Sequence, residues 1–433
     1  MKKRLLLLSV FTVLSLCACT HQPSGTVPQL PVSSGSAPVS EASVKVSEPS
    51  AVSEPSVVSE PSVVSEPSAV SEPSVVSEPS VVSGPEAFDD KYFVRKLHNR
   101  ERDAFTQMYR AVQQHEKHVK FREPVASETL DLLMMLLNYD CPELIHVKGD
   151  YSVNYTDNTE TAVSTVFFYY NMSAQEYRTH EAELRQYFES LRTRVKGKSV
   201  PEQEQFVYDE IFRQCIYDES TGNAGSVYGA LMEHHARCEG ISKAFMWCMR
   251  ELGIECLTVV GTPLWQTDAV YPSHSWNLVK LGDDWYHVDL TSDNLQSSED
   301  SHYPALYGFL NTDDRYIYRS RVLSPVYASL GVPACTKDEW NYHVRSGLLV
   351  RDGDALPDSL NRIWEEHFEQ GQYNELTVRF EGQEEYREML KNWETWLDDY
   401  TAARQWGEYD STIYYNGVSL TVCIRSRPLE VNE

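Results

Sequence analysis

The spacing of apolar side chains separates helical segments of the chain from extended ones. Apolar residues recur at intervals of three and four, as on one helix face, in four segments: 94–118, 130–137, 174–195 and 384–404. Residues 151–154 and 163–170 are enriched in Tyr, Phe and Val, which favours strands. Residues 376–380 also predict a strand, and the Asn-Gly step at 416–417 predicts a tight hairpin. The chain beyond residue 87 is therefore predicted to be an α+β protein.

A repeated hexapeptide fills much of the region before that point. From Ser47 to Val82 the chain contains six copies of Ser-Glu-Pro-Ser-(Ala/Val)-Val. Proline in every unit excludes helix and sheet ladder, and the repeated glutamates repel one another, so an extended polyproline-like backbone is expected. At about 3.1 Å per residue the repeats would span on the order of 110 Å. We interpret residues 19–86 as a disordered tether.

The first residues have the composition of a secretory signal peptide. Three basic residues at positions 2–4 precede an apolar run from Leu5 to Ala18, which is too short for a comfortable transmembrane helix. The run ends Leu16-Cys17-Ala18-Cys19, and this sequence resembles a bacterial lipobox. The resemblance implies removal of residues 1–18 and lipidation of Cys19, which would anchor the protein on the outer face of the bacterial membrane. The alternative is an ordinary signal peptide that is cleaved without lipidation.

Composition narrows the functional classes. Hydrophobic residues make up 41% of the chain, which is sufficient for a buried core. The formal net charge is −26, so the basic surface that nucleic-acid binding requires is not expected. The chain has nine cysteines but no C-x-x-C and no H-E-x-x-H motif, and we predict no metal site and no cofactor.

One cysteine is predicted to lie at the start of a helix. After Cys238, apolar residues occur at positions 241, 245, 248 and 252, which places them on one helical face. Cys238 therefore lies at or just before the helix N-terminus, where the helix dipole favours the nucleophilic thiolate. Gly240, in the first turn, would allow another backbone segment or a substrate to approach closely.

A histidine and an aspartate are predicted to share one face of two neighbouring strands. The strand that begins near His274 and the strand that ends near Asp289 are joined by a short turn. If the turn is Gly282-Asp283, Trp276 lies opposite Asp289 and His274 lies on its diagonal. If the turn is Leu281-Gly282, His274 lies directly opposite Asp289. Either register places the two side chains within reach of each other.

Three sequence blocks in this order resemble the transglutaminase-like superfamily. They read R-C-E-G-I-S-K-A-F at 237–245, H-S-W-N at 274–277 and W-Y-H-V-D-L-T at 285–291. The resemblance implies a papain-like, transglutaminase-like core in which a helix bearing the cysteine packs on an antiparallel sheet bearing the histidine and the aspartate. It assigns Cys238 as the nucleophile, His274 as base and acid, and Asp289 as the group that orients the imidazole.

Several residues around this triad have two interpretations. Ile241-Ser242 and Ser292 depart from the commoner pattern of the superfamily and would reshape the acceptor pocket. Arg237 either favours the thiolate by its charge or points to solvent. Trp276 is either a wall of the site or part of the core. Tyr228 is predicted to neighbour the nucleophile and to donate a hydrogen bond to an oxyanion, beside the backbone N–H of the nucleophile itself.

Other histidines and cysteines compete for these roles. His287 shares a face with Asp289 and is the alternative base, although residues two apart in one strand lie about 6.5 Å from each other. Cys238 could also be an inert buried thiol, because cysteine is among the most buried residue types. Cys248 is assigned to the core. The cysteines at 141, 215, 256, 335 and 423 are predicted to be buried thiols, with an extracellular disulfide as the alternative.

These features together predict a lipid-anchored thiol enzyme. The predicted segments are a signal peptide 1–18, a lipidated linker 19–86, a helical α+β N-terminal extension 87–200, a transglutaminase-like core 201–336 and a small α+β C-terminal module 337–433. The expected reaction is attack of Cys238 on a protein or peptide amide to form a thioester. An amine acceptor would then give transamidation, and water would give hydrolysis. The competing class is a catalytically silent cell-surface binding or scaffold module that retains the fold.

Overall fold

The computed structural model describes residue 88 and residues 90–428, except for 157–158, 265–272, 294–302 and 408. These described residues belong to one compact unit. The predicted signal peptide 1–18, the lipidation site Cys19 and the linker 19–86 lie outside the described residues. The module boundaries near 200 and 336 stay predictions.

Helices and strands are interspersed along the described chain. The helices are α1 Asn99–Gln113, α2 Ser127–Tyr139, α3 Ala174–Arg194, α4 Val200–Gln214, α5 Cys238–Glu251, α6 Leu290–Asp293, α7 Asp314–Ile317, α8 Pro325–Ser329, α9 Tyr342–Arg345, α10 Leu356–His367 and α11 Gln383–Ala403. The strands are β1 His118–Ala126, β2 Val147–Tyr155, β3 Ala162–Tyr170, β4 Ile216–Tyr217, β5 His235–Ala236, β6 Cys256–Pro263, β7 His274–Leu281, β8 Asp284–Val288, β9 Leu310–Thr312, β10 Arg321–Leu323, β11 Leu349–Val350, β12 Asn374–Phe380, β13 Tyr409–Asn416 and β14 Thr421–Pro428. No helix among the described residues has the length and apolar character that a membrane span requires.

The strands form sheets in three successive parts of the chain. Their orders are β1-β3-β2, then β10-β6-β7-β8-β9, then β11-β12-β14-β13, with a small parallel pair β4-β5. Helices and sheets are mixed throughout, which confirms the predicted α+β class.

The first sheet corrects one sequence expectation. The helical spacing of residues 94–118 extends too far, because α1 ends at Gln113 and β1 begins at His118. His115 has a φ of +59°, a left-handed conformation that stops the helix. In β1, Val119 and Phe121 are buried between exposed polar neighbours, so the alternation of a strand prevails over helical spacing here.

The central sheet and α5 position the predicted site. α5 packs against β6 and β7. The apolar face predicted from the spacing is the buried one, since Ile241, Phe245 and Cys248 are inaccessible to solvent. This arrangement fixes one end of α5, where Cys238 lies, against the sheet that carries the other predicted site residues.

The β7–β8 hairpin resolves the register that the sequence left open. Leu281 pairs with Asp284 and Asn277 pairs with Val288, so the turn is Gly282-Asp283. Gly282 has a φ of +65°, which glycine adopts without a steric penalty. Continued by one pair, this register sets Trp276 opposite Asp289, the first of the two predicted alternatives.

The C-terminal sheet has its own buried core with α10 and α11. β13 and β14 form a hairpin, with Asn416 paired to Thr421. The hairpin predicted at Asn-Gly is present, but its loop is wider than a tight turn, because residues 417–420 all lie in the loop. The Asn416 side chain accepts hydrogen bonds from the backbone N–H groups of Val418 and Ser419, which stabilises this wider loop instead.

Candidate active site

The thiol of Cys238 lies at the first residue of α5. Arg237, just before it, has an extended backbone (φ −89°, ψ 177°) that brings the chain sharply into the helix. Cys238 is 8% exposed, so the thiol is shielded but not sealed from solvent. At this position the helix dipole favours a thiolate over a thiol.

Gly240 allows the first turn of α5 to pack closely against the preceding loop. A Cβ at this residue would lie 2.4 Å from the backbone oxygen of Ala224 and 2.9 Å from that of Ser226. The predicted close approach is therefore made by the chain's own backbone.

Replacing Gly240 with alanine is expected to destabilise the protein by about 1–3 kcal/mol, because neither backbone oxygen can move without shifting the loop. The free energy of unfolding, measured with urea, checks this result. Gly222→Ala is the matched control, since a Cβ at Gly222 meets no atom within 4 Å. Equal stability of the two variants would contradict the steric argument.

His274 and Asp289 lie in direct contact. His274 is the first residue of β7, and Asp289 follows the last residue of β8. His274 Nε2 lies 2.7 Å from Asp289 Oδ2, and the two residues are 4% and 1% exposed. A buried carboxylate at this distance holds the imidazole in one orientation and stabilises its protonated form.

The other side of the His274 imidazole faces the thiol. Burial lowers the pKa of His274, and the positive charge of Arg321 acts in the same direction, whereas a hydrogen bond and charge from Cys238 raise it. Because Nε2 is occupied by Asp289, Nδ1 is the ring nitrogen available to Cys238. The structure thus brings Cys238, His274 and Asp289 together in that order.

Asp289 is held by residues on both of its oxygens. The Ser292 backbone N–H donates to Oδ1 at 3.0 Å, and the Ser292 hydroxyl donates to Oδ2 at 2.8 Å. From the sequence, Ser292 stands out only as a departure from the family pattern. Its hydrogen bonds show that it serves to fix the carboxylate.

Arg321 completes the surroundings of Asp289 and was missed by sequence reasoning. Its Nη1 contacts Asp289 Oδ2, and both side chains are inaccessible to solvent. The guanidinium lies over the rings of Trp276 and Phe309, 5.7 and 4.6 Å from their centroids. Its Nε and Nη2 donate to the Ser320 hydroxyl at 3.1 Å. No local pattern marks this residue, because β10 is only three residues long.

Trp276 belongs to the core behind the imidazole. It is 1% exposed, and its ring stacks beside that of His274 with centroids 6.1 Å apart. Its Nε1 donates to His287 Nδ1 at 3.1 Å. Of the two predicted interpretations, the structure places Trp276 in the core, where it restrains the imidazole from behind.

The contacts of His287 do not support it as an alternative base. Since Nδ1 accepts from the Trp276 indole, the ring proton is on Nε2, which lies 2.8 Å from Asp314 Oδ1 and donates to it. Both ring nitrogens are thus engaged, one by Trp276 in β7 and the other by Asp314 in α7. The expectation that His287 competes for Asp289 is not met, because its ring bonds to Asp314 instead.

His287, Asp314 and Cys335 also bring potential metal ligands within 4.8 Å of one another. A metal on Nε2 would require loss of the Nε2 proton, and a metal-bound neutral imidazole would then carry a proton on Nδ1. That proton would face the Trp276 indole N–H, which can only donate. The hydrogen-bond pattern therefore disfavours a metal ion on this cluster.

Tyr228 does not occupy its predicted place. Its hydroxyl donates to Glu183 at 2.7 Å, and its ring stacks on His180 with centroids 3.7 Å apart. The tyrosines that line the cavity beside Cys238 are Tyr139 and Tyr217. Proximity along the sequence misled the prediction, because the π turn after Tyr228 directs its side chain toward α3.

The Arg237 side chain does not point to solvent but forms an ion pair beside the thiol. It donates to Glu239 at 2.6 and 3.1 Å, and Lys243 lies 3.0 Å from the same carboxylate. Burial acts to raise the pKa of Glu239, but the charges of Lys243 and Arg237 outweigh it and lower the pKa to about 2. Two cations around one carboxylate place a positive charge near Cys238, which favours a thiolate there, whereas the nearby carboxyl group of Glu219 acts in the opposite direction.

The remaining cysteines differ from Cys238 in their surroundings. None of the seven cysteines in the described chain is in a disulfide, and all are buried. Burial raises the pKa of each of the other six thiols, at 141, 215, 248, 256, 335 and 423. These cysteines are therefore disfavoured as thiolates at neutral pH.

Comparison with known proteins finds a family model and solved structures that match part of the chain. The family model of the Transglutaminase-like superfamily matches residues 186–290. A solved structure from Cytophaga hutchinsonii named "Putative Cysteine Protease" is 13% identical, with a TM-score of 0.22, and the match covers 30% of this chain and 51% of that one. A crystal structure of a TGase is 14% identical, with a TM-score of 0.24 and coverage of 44% and 53%.

The present chain thus spans about half the length of each of these solved structures, 51% and 53%. No curated protein matches it. The family match includes α5 with Cys238, the β7–β8 hairpin with His274, and Asp289. The family match therefore identifies a transglutaminase-like domain at residues 186–290.

Proposed function

We propose that the protein is a thiol enzyme that acts on protein or peptide amides through a thioester. The Cys238 sulfur attacks the amide carbon and forms the S–C bond, and the C–N bond breaks. The thiol proton passes to His274 and from there to the departing amine or ammonia. In the second step an amine or water attacks the thioester, His274 accepts its proton, and the proton returns to the sulfur as Cys238 leaves.

The main observation behind this proposal is that one buried imidazole contacts both a carboxylate and a thiol. His274 bonds to Asp289 on one ring nitrogen and to Cys238 on the other side. This is the arrangement in which a histidine can remove a thiol proton and return it. The oxyanion of each tetrahedral intermediate is assigned to the backbone N–H of Cys238, because Tyr228 bonds to Glu183.

The proposed substrates are amides of proteins or peptides outside the cell. Lipidation of Cys19 would anchor the enzyme on the outer face of the membrane. The repeats at 47–82 would hold its folded part away from that membrane. The acceptor decides between transamidation and hydrolysis, and the residues of the site serve both. No cofactor takes part in the proposed chemistry.

Selective alkylation tests the proposal without requiring a known substrate. The full-length protein is treated with iodoacetamide at pH 6, and each labelled cysteine is identified by mass spectrometry. We expect labelling at Cys238, because an ordinary thiol with a pKa of about 8.5 is almost wholly protonated at this pH. Cys238→Ala should lose the label, and Cys335→Ala, which removes a buried thiol elsewhere, should keep it. Labelling of Cys238 no faster than that of a small-molecule thiol would overturn the proposal.

A second candidate function is a binding module that has kept the fold. The observation in its favour is the size of the cavity beside Cys238, about 10 Å³, which is close to the minimum for one water molecule. A peptide amide can reach the sulfur only if the cavity widens. Alkylation separates the two candidates, since a silent module has no need of an activated thiolate.

A further inference from the structure

A second cavity lies where the C-terminal sheet meets the central part of the protein. Its volume is about 130 Å³, several times the roughly 30 Å³ that one water occupies. Its lining residues are Asp313, Arg315, Tyr316, Arg319, Asp338, Arg379 and Glu381. The Cys238 site shares none of them.

Arg379 is the unusual residue of this cavity. It lies in β12, is 3% exposed, and packs over the Tyr316 ring at 4.5 Å. Its Nε and Nη1 have no hydrogen-bond partner within the described part of the chain. An arginine remains charged at physiological pH, and a buried charge without a partner is costly. The guanidinium therefore has N–H donors available for a hydrogen-bond acceptor in the cavity.

Asp293 and His343 are titratable groups that interact with Arg379, and Asp293 is only a partial counter-charge. Asp293 is buried, and its oxygens accept hydrogen bonds from Tyr208 and from two backbone N–H groups. Burial raises the pKa of Asp293 to about 7, so it is only partly ionised at neutral pH. His343 stays neutral, because burial and the charge of Arg379 both lower its pKa.

Two of the cavity's acidic residues already have cationic partners. Asp313 Oδ2 accepts from Arg315 at 2.8 Å, and Glu381 pairs with Arg351 at 3.3 Å. The remaining acid of the lining is Asp338.

Arg319 adds a second guanidinium to the lining. Its Nη1 donates to the main-chain oxygen of Glu381 at 3.0 Å, which is a neutral acceptor. The lining contains three arginines and three acids. Because Glu381 is paired with Arg351 from outside the lining and Asp313 with Arg315, Arg379 and Arg319 face one further carboxylate, that of Asp338.

We propose that this cavity binds a small oxyanion, a carboxylate or a phosphate group, between Arg379 and Arg319. A guanidinium group binds either a carboxylate or a phosphate, because its planar N–H donors can bond to two oxygens at once. The volume admits an anion of this size, and Arg379 supplies the buried donors. The site is independent of Cys238, so it predicts ligand binding even if the protein proves to have no thiol activity.

Thermal unfolding of the full-length protein tests this site. Sodium phosphate and sodium acetate are titrated separately against sodium chloride at matched ionic strength. We expect a saturable rise in the melting temperature with at least one oxyanion and none with chloride, because a ligand that binds only the folded state stabilises it. The two arms show which oxyanion the cavity accepts. Isothermal titration calorimetry then gives the dissociation constant.

Two variants locate the effect. Arg379→Met should weaken binding by about tenfold or more, the equivalent of one lost charge-assisted hydrogen bond. Arg319→Met, at an exposed position, should weaken it several-fold and keeps the test decisive if Arg379→Met fails to fold. Arg427→Met, which removes an exposed arginine paired with Asp410, should bind like the original protein. The proposal is overturned if neither oxyanion exceeds chloride, or if Arg319→Met and Arg427→Met respond alike.

Discussion

Replacing His274 with glutamine is expected to slow alkylation of Cys238 at pH 6 by about 100-fold. Without the imidazole the thiol should approach ordinary behaviour, and a thiol with a pKa of about 8.5 is less than about 1% ionised at that pH. Glutamine keeps a polar side chain of similar length against Asp289, so the change removes proton transfer more than packing. The rate constant is measured by mass spectrometry over time. Once a substrate is known, turnover should fall by about 10²–10⁴-fold.

His287→Gln is the matched control for this experiment. His287 is also buried and also bonds to an aspartate, but its partners are Trp276 and Asp314. We expect this variant to lose stability and to keep an alkylation rate within a few-fold of the original. The reverse pattern, in which Cys238 is alkylated slowly in His287→Gln and fast in His274→Gln, would exclude His274 as the base. It would support His287, the alternative base predicted from the sequence.

The parts of the site that sequence could predict are those encoded locally. The position of Cys238 follows from the helical spacing after it, and the shared face of His274 and Asp289 follows from strand alternation across a short turn. The register remained open because both turns give the same face. The pairing of Leu281 with Asp284 selects between them in the structure, and alternation alone contains no information about which residues pair.

The parts that sequence could not predict depend on contacts between distant segments. Arg321 reaches Asp289 because β10 pairs with β6 at the edge of the central sheet. A three-residue strand is too short to show a period, so nothing marks Arg321 as inward-facing. The prediction for Tyr228 is wrong for the opposite reason. Tyr228 is close to Cys238 in sequence, but its hydroxyl donates to Glu183 in α3.

Replacing Arg321 with methionine is expected to destabilise the protein by about 3–5 kcal/mol, because it leaves the Asp289 carboxylate buried without its cation. The free energy of unfolding in urea is the measurement. Arg185→Met provides a matched control, since Arg185 pairs with Glu181 at 2.6 Å on an exposed helix face. Its loss should cost no more than about 0.5 kcal/mol.

A double variant separates the charge pair from the packing of Arg321 between two rings. If the ion pair dominates, Asp289→Asn combined with Arg321→Met should destabilise the protein by less than the sum of the single changes. Strict additivity would mean that Arg321 contributes through its contacts with Trp276 and Phe309 alone. In that case the guanidinium would be a core side chain with no special relation to the carboxylate.

The same substitution should change the titration of His274. Arg321 lowers the pKa of His274, so Arg321→Met is expected to raise it, and the imidazole should protonate at a higher pH. Because the folded-state pKa lies below the ordinary 6.5, His274 costs stability as pH falls below that value, and this loss should be smaller in the variant. Ring-proton chemical shifts followed from pH 8 to 5, with His274→Gln to identify the signal, measure the shift directly. An unchanged titration would mean that Arg321 does not influence the protonation of His274 and acts only on stability.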